Sequence, residues 1–370
     1  MKKSAPLSVA ILGINGADSP SAGLILALSL RRQRSVPVRV IALVENPFTD
    51  GIQAINHADE VVVTPSPVVS PEGFIERIRG VARRFAPLVI LPGGPSDWCS
   101  LIPLKRGLRT NGVSLLFPSE SLVNTLLPFP DRGKLKGVAT PQHCVLRSRD
   151  LRPLRAVTWR FPLRLQSRDG AVGVAATWHE LEIMVAQHHA HSITPLLIQE
   201  IPSGEEISIA ALGDQRGRPI GWVAARVLNR SENGAVWSAV TVDASAIRTV
   251  VKPLLDKFAW PGPLTLTFSF TAGGPCFTGI EPGFPSWISL ASAAGQDLPL
   301  HYLRLALGKA GLAQTSYRVG LHLARVAVDQ PTEFMALSRL VTQGDYANGN
   351  NHPTELRATA HYATAARHHR

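Results

Sequence analysis

Four short apolar runs open the chain: "LSVAILGI", "VRVIALV", "ADEVVVTP" and "PLVILPGG". Between them lie segments whose apolar residues recur at helical spacing, "GLILALSLRRQ" and "GFIERIRGVARRF". Apolar strands alternating with amphipathic helices predict a parallel sheet in an α/β domain. "LLFPSESLVNTLL" adds a short strand, a serine cap and a helix. This first unit, residues 1–120, ends there.

The pattern then changes. Residues 121–195 read as a smaller mixed unit. "GVATPQHCVL" is a turn into a strand, and "FPLRLQS" alternates as a half-buried strand does. A short glycine loop, "RDGAVGV", comes after it. "TWHELEIMVAQHHAH" is a helix with Thr177 as N-cap and Glu180 three positions on, a capping-box spacing. Residues 196–310 are strand-rich: "LLIQEI", "EISIAAL", "GWVAARVL", "LTLTFSF" and "CFTGIEPG" predict an antiparallel sheet. "AIRTVVKPLLDKF" is a helix inserted among them and "DLPLHYLRLALG" a closing one. Residues 311–370 read as a helical extension that passes, from about 331, into a loose polar tail that is a poor core former.

Composition adds constraints. The 370 residues carry 38 basic against 27 acidic side chains, a net charge of +11, which favours anionic partners. The basic stretches "RRQRSVPVR" and "RIRGVARR" sit on or near predicted helices and read as solvated faces. No basic stripe is interleaved with aromatics, so nucleic acid is not the expected partner. Cys99, Cys144 and Cys276 are far apart with no C-x-x-C, which fits thiols in a reducing compartment and a cytoplasmic location. The start has the outline of a signal peptide, but Gly13, Asn15 and Gly16 break its apolar run, and it reads as a first buried strand. No apolar run approaches the ~18 residues of a membrane span.

Several chemical motifs are weak. "GINGADSPSAG" does not fit G-x-G-x-x-G, and no G-x-S-x-G elbow is present. His188, His189 and His191 could offer two metal ligands at i, i+3. Cations at a helix C-terminus are equally favourable without a metal, and the cluster reads as such an end. Cys99, in "LPGGPSDWCS", reads as a core or turn thiol.

One stretch is more informative. "LLIQEIPSGEEISIAAL" places carboxylates at both ends of one tight turn between two strands. Pro202 pre-sets φ and Gly204 permits the turn. Alone, this is a hairpin with solvated acids. In context it is one of six segments whose order resembles the ATP-grasp superfamily, the carboxylate–amine ligases and their relatives. "AILGINGADSPSAGLILALSLRRQ" looks like the first strand, glycine turn and helix of that family. "GVATPQHCVL" resembles the G-x-x-x-P start of its middle lobe, and "FPLRLQSRDGAVGV" the phosphate-binding strand and glycine loop. "LLIQEIPSGEEISIAAL" is similar to its hinge strand. "GPLTLTFSFTAGGPCFTGIEPGFPS" resembles the last two catalytic strands, which usually end E-x-N-P-R-F. "ASAAGQDLP" resembles the segment that commonly succeeds those strands. The likeness runs to about residue 305.

The resemblance implies an N-terminal α/β domain and two lobes, 121–195 and 196–310, that clamp ATP. A strand edge at Gln199, Glu200 and Ile201 would meet adenine through its backbone, and Glu206 would accept from ribose hydroxyls. Gly170 and Gly173 would lie in the loop over the phosphates. Arg226 resembles a basic residue aimed at substrate phosphate, and Gly234 a flexible substrate loop. Departures from the family pattern are equally informative. Gln166 and Thr125 stand where lysines hold phosphate. Gly279 and Glu281 match the E-x-N pair that binds magnesium, so Glu281 is the one metal carboxylate left. Gly283 stands in place of an arginine. Arg164, on the same strand face as Gln166, and Arg168, at the glycine loop, are the available replacements. Magnesium normally needs carboxylates plus phosphates around it, and its binding here is doubtful.

Two classes of function remain. One is a divergent ATP-dependent ligase that activates a small carboxylate as an acyl phosphate and passes it to an amine. The other is a protein that binds an adenine nucleotide with its chemistry impaired or lost, or that serves as a partner subunit, an oligomer being compatible with either. The missing phosphate and metal groups favour the second.

Overall fold

The computed structural model describes residues 6–14, 21–32, 36–130, 135–192, 194–231, 234–311, 316–325 and 331–348. Strands β1 (Leu7–Ile11), β2 (Val38–Val44), β3 (Glu60–Val63), β4 (Leu88–Leu91) and β5 (Val113–Ser114) form a parallel sheet in the order β3-β2-β1-β4-β5. Their uninterrupted apolar runs reflect burial on both faces: Val9, Ala10 and Ile11 are fully buried. The strand order reverses between β1 and β4. At such a point the carboxyl ends of the strands border a crevice, here lined by residues 12–14 and 92–97. Much of "GINGADSPSAG", including Gly16, lies outside the described residues.

The expected loose tail is corrected for residues 331–348. Helix Phe334–Gln343 buries Ala336 and Leu340, four positions apart, and strand Asp345–Ala347 pairs antiparallel with β3. Arg77 donates to Val63 O at 3.0 Å and to Gly344 O at 2.9 Å, and pairs with Asp345, as does Arg84 at 2.9 Å. The polar stretch after it, "QGDYANGNNHPTE", masked a helix whose own residues, "FMALSRLVTQ", are mostly apolar. Residues 349–370 lie outside the described residues.

The middle sheet comprises β6 (His143–Leu146), β7 (Leu163–Ser167), β8 (Gly170–Ala175) and β9 (Leu196–Glu200), in the order β6-β9-β7-β8. Thr177 caps helix Trp178–His191 as expected, its side chain accepting from Glu180 N. This helix packs Leu181 and Val185 with Leu163, Leu165, Leu196 and Ile198 into a small core of its own. β9, expected at the head of the C-terminal lobe, therefore belongs to the middle sheet, and the change of sheet falls in the turn after Glu200.

The third sheet is antiparallel, in the order β14-β13-β10-β11-β12-β15. Its strands are β10 (Glu205–Gly213), β11 (Pro219–Arg230), β12 (Val236–Thr241), β13 (Gly262–Thr271), β14 (Gly274–Pro282) and β15 (His322–Ala324). Strand β12, "VWSAVT", was not among the expected strands; Gly234 lies in the turn before it, and residues 232–233 are outside the described set. The turn between β9 and β10 runs so close to β13 that a Cβ on Gly204 would lie 2.2 Å from Phe270 O. Glycine is required there by backbone approach, with no need for a positive φ.

The first and third sheets share one core. Trp98 packs at a tilt against Phe117 and edge-to-face with Tyr302, at 4.9 and 6.2 Å between ring centroids. The buried Tyr302 hydroxyl donates to Ile90 O at 2.9 Å. Among the described residues, no helix is long and apolar enough to cross a membrane.

Candidate functional site

Alternation on β7 builds one wall of the site. Leu163 and Leu165 face the helix, so Arg164 and Gln166 face the other way. In register with them on β9 stand Gln199, opposite Arg164, and Leu197, opposite Gln166. This face looks onto the third sheet: Gln166 Nε2 donates to Glu281 Oε1 of β14 at 3.1 Å. Glu206, from β10, and Arg230, from the end of β11, complete the cluster through an ion pair using both carboxylate oxygens.

Electrostatics in this cleft are under-compensated. Burial pulls the Arg164 guanidinium below its ordinary range, with Glu206 opposing and Arg230 adding to the effect. Burial likewise pushes the Glu281 carboxyl above its ordinary 4.5, and Arg230 and Arg164 only partly offset it. Among the described residues, no carboxylate comes within ion-pairing distance of Arg164. Beside it the side-chain amide of Gln199, 1% exposed, has an Nε2 with no hydrogen-bond partner among the described residues. Unsatisfied buried donors are uncommon and call for an explanation.

Other expected site residues fall differently. β9 is an interior strand between β6 and β7, not an edge. The backbone through Glu200 is in register with both neighbours, and Glu200 N donates to Gln142 O at 3.0 Å. Only Ile201, beyond the last pair, lies past the ladder. The Glu200 side chain accepts from Arg160 N at 2.8 Å.

The glycine loop is shorter than expected. β7 and β8 leave only Arg168 and Asp169 outside the strands, and Gly170 and Gly173 pair with Ser167 and Leu165. The Arg168 carbonyl accepts from Cys99 Sγ at 3.4 Å, which docks the turn on helix Pro95–Leu101. Burial, with Asp169 close by, pushes that thiol up to about 12, as a docked rather than a nucleophilic group requires.

Arg226 does not join the cluster. It pairs with Glu205 at 2.7 Å, on the sheet face opposite Glu206. The register with β12 slips twice, between Val227 and Asn229 and again between Asn229 and Arg230. Through this local irregularity Arg230 meets Glu206, whereas Arg226 meets Glu205. Arg230 was missed. The break in alternation at "VLNR" was its only trace in the sequence. Thr125, exposed on helix Glu120–Leu126, bonds back to Ser121 O at 2.8 Å. His188 Nε2 is occupied by Thr194 O at 3.0 Å. Among the described residues, no group of three or more His, Cys, Asp or Glu could hold a metal ion.

No protein-family model and no curated protein matches the chain. Solved structures do resemble it. The N5-carboxyaminoimidazole synthetase of Staphylococcus aureus, solved with ADP, is 13% identical at a TM-score of 0.56, covering 86% of this chain and 81% of that one. The biotin carboxylase domain of 2-oxoglutarate carboxylase from Hydrogenobacter thermophilus, solved with MgADP, ADP and bicarbonate, is 15% identical at 0.59, covering 86% and 74%. The L-amino acid ligase of Bacillus licheniformis is 14% identical at 0.55, covering 82% and 75%.

The chain has the ATP-grasp fold. On that fold the cluster of Arg164, Gln166, Glu206, Arg230 and Glu281 lies between the two clamp sheets. Its donor set does not fit the magnesium ion that ATP-grasp ligases imply. Glu281 Oε1 already accepts from Gln166, and the charges that act on the carboxylate include two guanidinium groups, Arg230 and Arg164, where a dication would need further oxygens. Gly279, which the family resemblance matches to the first residue of E-x-N, is a different case. A Cβ there would make only ordinary contacts, 3.7 Å from Gln166 Oε1 and Thr267 Cβ. Gly279→Ala is expected to leave stability unchanged or to raise it by about 0.4–1 kcal/mol, as read from denaturant unfolding.

Proposed function

We propose that the cleft binds an adenine nucleotide without magnesium, its phosphates neutralised by Arg164 and Arg230, and that the chain carries out no ligase chemistry. The observation that carries this reading is Arg164, an unpaired guanidinium set between the clamp sheets beside the unsatisfied amide of Gln199. Arginine suits the task because its planar fork meets phosphate oxygens bidentately and is always charged. Glu206 retains lone pairs for ribose hydroxyls while paired to Arg230, and Ile201 offers backbone past the end of the ladder. The phosphate lysine, metal ligand and arginine that by the family resemblance position and neutralise the transferring phosphoryl group are replaced by Gln166, Gly279 and Gly283. Removing one well-placed donor typically costs ~10²–10³ in rate, so several replacements leave turnover near background.

Calorimetric titration with ATP and ADP, with and without magnesium, tests this. Binding of equal affinity under both conditions is expected. Arg164→Ala should weaken it by about ten- to a hundredfold, from the ~1.5–3 kcal/mol of a hydrogen bond to a charged group. No nucleotide binding would remove the reading. Magnesium-dependent ADP formation that Glu281→Ala abolishes would replace it with an active ligase.

A further inference from the structure

A cavity lies away from the clamp, where the N-terminal domain meets the hairpin end of the third sheet. Its volume is about 670 Å³, and Lys105, Arg109, Ser114, Ser119, Gln215 and Arg216 contribute its polar lining. That size is within the range of small-molecule sites. The residues around it include three cations and no Asp or Glu. Among the described residues, none of the three cations makes an ion pair. The nearest acid in sequence to Arg216 is Asp214, and it is already engaged. It accepts from Arg216 N at 2.8 Å and Arg218 N at 2.9 Å, and pairs with the Arg218 side chain at 2.8 Å.

Lys105 is held in place. Its Nζ donates to Phe117 O at 2.6 Å and Pro118 O at 3.4 Å, so two main-chain carbonyls fix the ammonium at the cavity wall. Burial lowers its proton affinity and Arg109 lowers it further, the pattern of cations crowded together without an anion. Ser119 accepts from Leu122 N at 3.2 Å, which leaves its own hydroxyl proton available to donate. An adjoining cavity of about 410 Å³ shares Lys105, Arg109 and Ser119 and adds one further cation, Arg106, and one acid, Glu120.

From this arrangement we infer that the Lys105–Arg109–Arg216 cavity is a binding site for the phosphate group of a small phosphorylated molecule, separate from the clamp. Three converging cations, two of them guanidinium forks, match the charge and geometry of a phosphate. A concave site shared by two domains would tie its occupancy to their packing.

The test is calorimetric titration of the full chain with inorganic pyrophosphate at low salt, for the parent and for Lys105→Met, Arg109→Met and Arg216→Met. Arg109 and Arg216 are exposed, so their replacement leaves the fold intact even if the Lys105 variant does not fold. Each variant is expected to weaken a pyrophosphate binding component at least tenfold. The inference is overturned if no pyrophosphate binds at millimolar concentration, or if binding survives unchanged in the Arg109 and Arg216 variants. It is equally overturned if an acidic peptide binds through these residues and pyrophosphate does not.

Discussion

Gly283→Arg, which would restore the arginine expected by the family resemblance, should destabilise the protein by about 2–6 kcal/mol. Gly283 has φ +99°, a region that side chains rarely adopt, and a Cβ there would lie 2.7 Å from Trp98 Nε1. The strained backbone costs about 1–3 kcal/mol, and overpacking a full core a similar amount. Trp98 cannot step aside, because it is fully buried between Phe117 and Tyr302. The chemical consequence is that this arginine position has been given over to the packing of two domains, and no single substitution returns it. Denaturant unfolding of Gly283→Arg and Gly283→Ala decides the matter. A Gly283→Arg protein as stable as the parent would show that Trp98 is free to move.

Where one face of an element is buried, its residues announced themselves. "LRLQS" alternates because Leu163 and Leu165 bury against a helix, and the same alternation set Arg164 and Gln166 toward the cleft before any contact was visible. The four apolar runs of the first domain became its four long parallel strands because burial on both faces leaves a strand apolar throughout. What was not legible depends on pairing. An isolated segment does not show whether a strand is an edge or interior, so β9 was expected to offer backbone that β6 and β7 already hold. A strand irregularity is equally invisible in a single segment. The family resemblance picked Arg226, and the double slip around Asn229 that precedes Arg230 shows only in the pairing with β12. The length of the glycine loop was misjudged similarly, since Gly170 and Gly173 serve a strand as readily as a loop.

The division of cores bears on motion. The first and third sheets are joined through Trp98, Phe117 and Tyr302, whereas the middle sheet packs chiefly on its own helix. The middle sheet is thus the unit expected to swing if the clamp opens. Its inward face meets the third sheet through the polar cluster and through apolar residues such as Leu197.

That cluster should favour function at the expense of stability, and the Arg164→Met/Glu281→Gln double variant is expected to be more stable than the parent by about 1–4 kcal/mol near pH 7. Replacing poorly compensated buried charges with neutral groups of similar shape is often stabilising to that extent. Both charges are disfavoured where they stand: burial pulls Arg164 down and pushes Glu281 up, despite their mutual attraction. Arg164→Met alone behaves differently, because it leaves Glu281 to share Arg230 with Glu206, and it should destabilise near neutral pH. Glu281 sets the sign of the pH dependence. Its folded value is raised above the ordinary 4.5, so the folded state holds the proton more tightly than the unfolded chain. The resulting stability is fully present below about 4.5 and is lost as pH rises through the folded value. Removing Arg164 raises that value further and enlarges the loss, so the destabilisation of the single variant should shrink as pH falls toward the ordinary 4.5. Glu281→Gln removes the dependence. Urea unfolding of the parent, both single variants and the double variant across this pH range measures each difference. A double variant less stable than the parent would mean that the ion cluster holds the clamp sheets together, and the cleft would then be a structural interface and not a site awaiting a ligand.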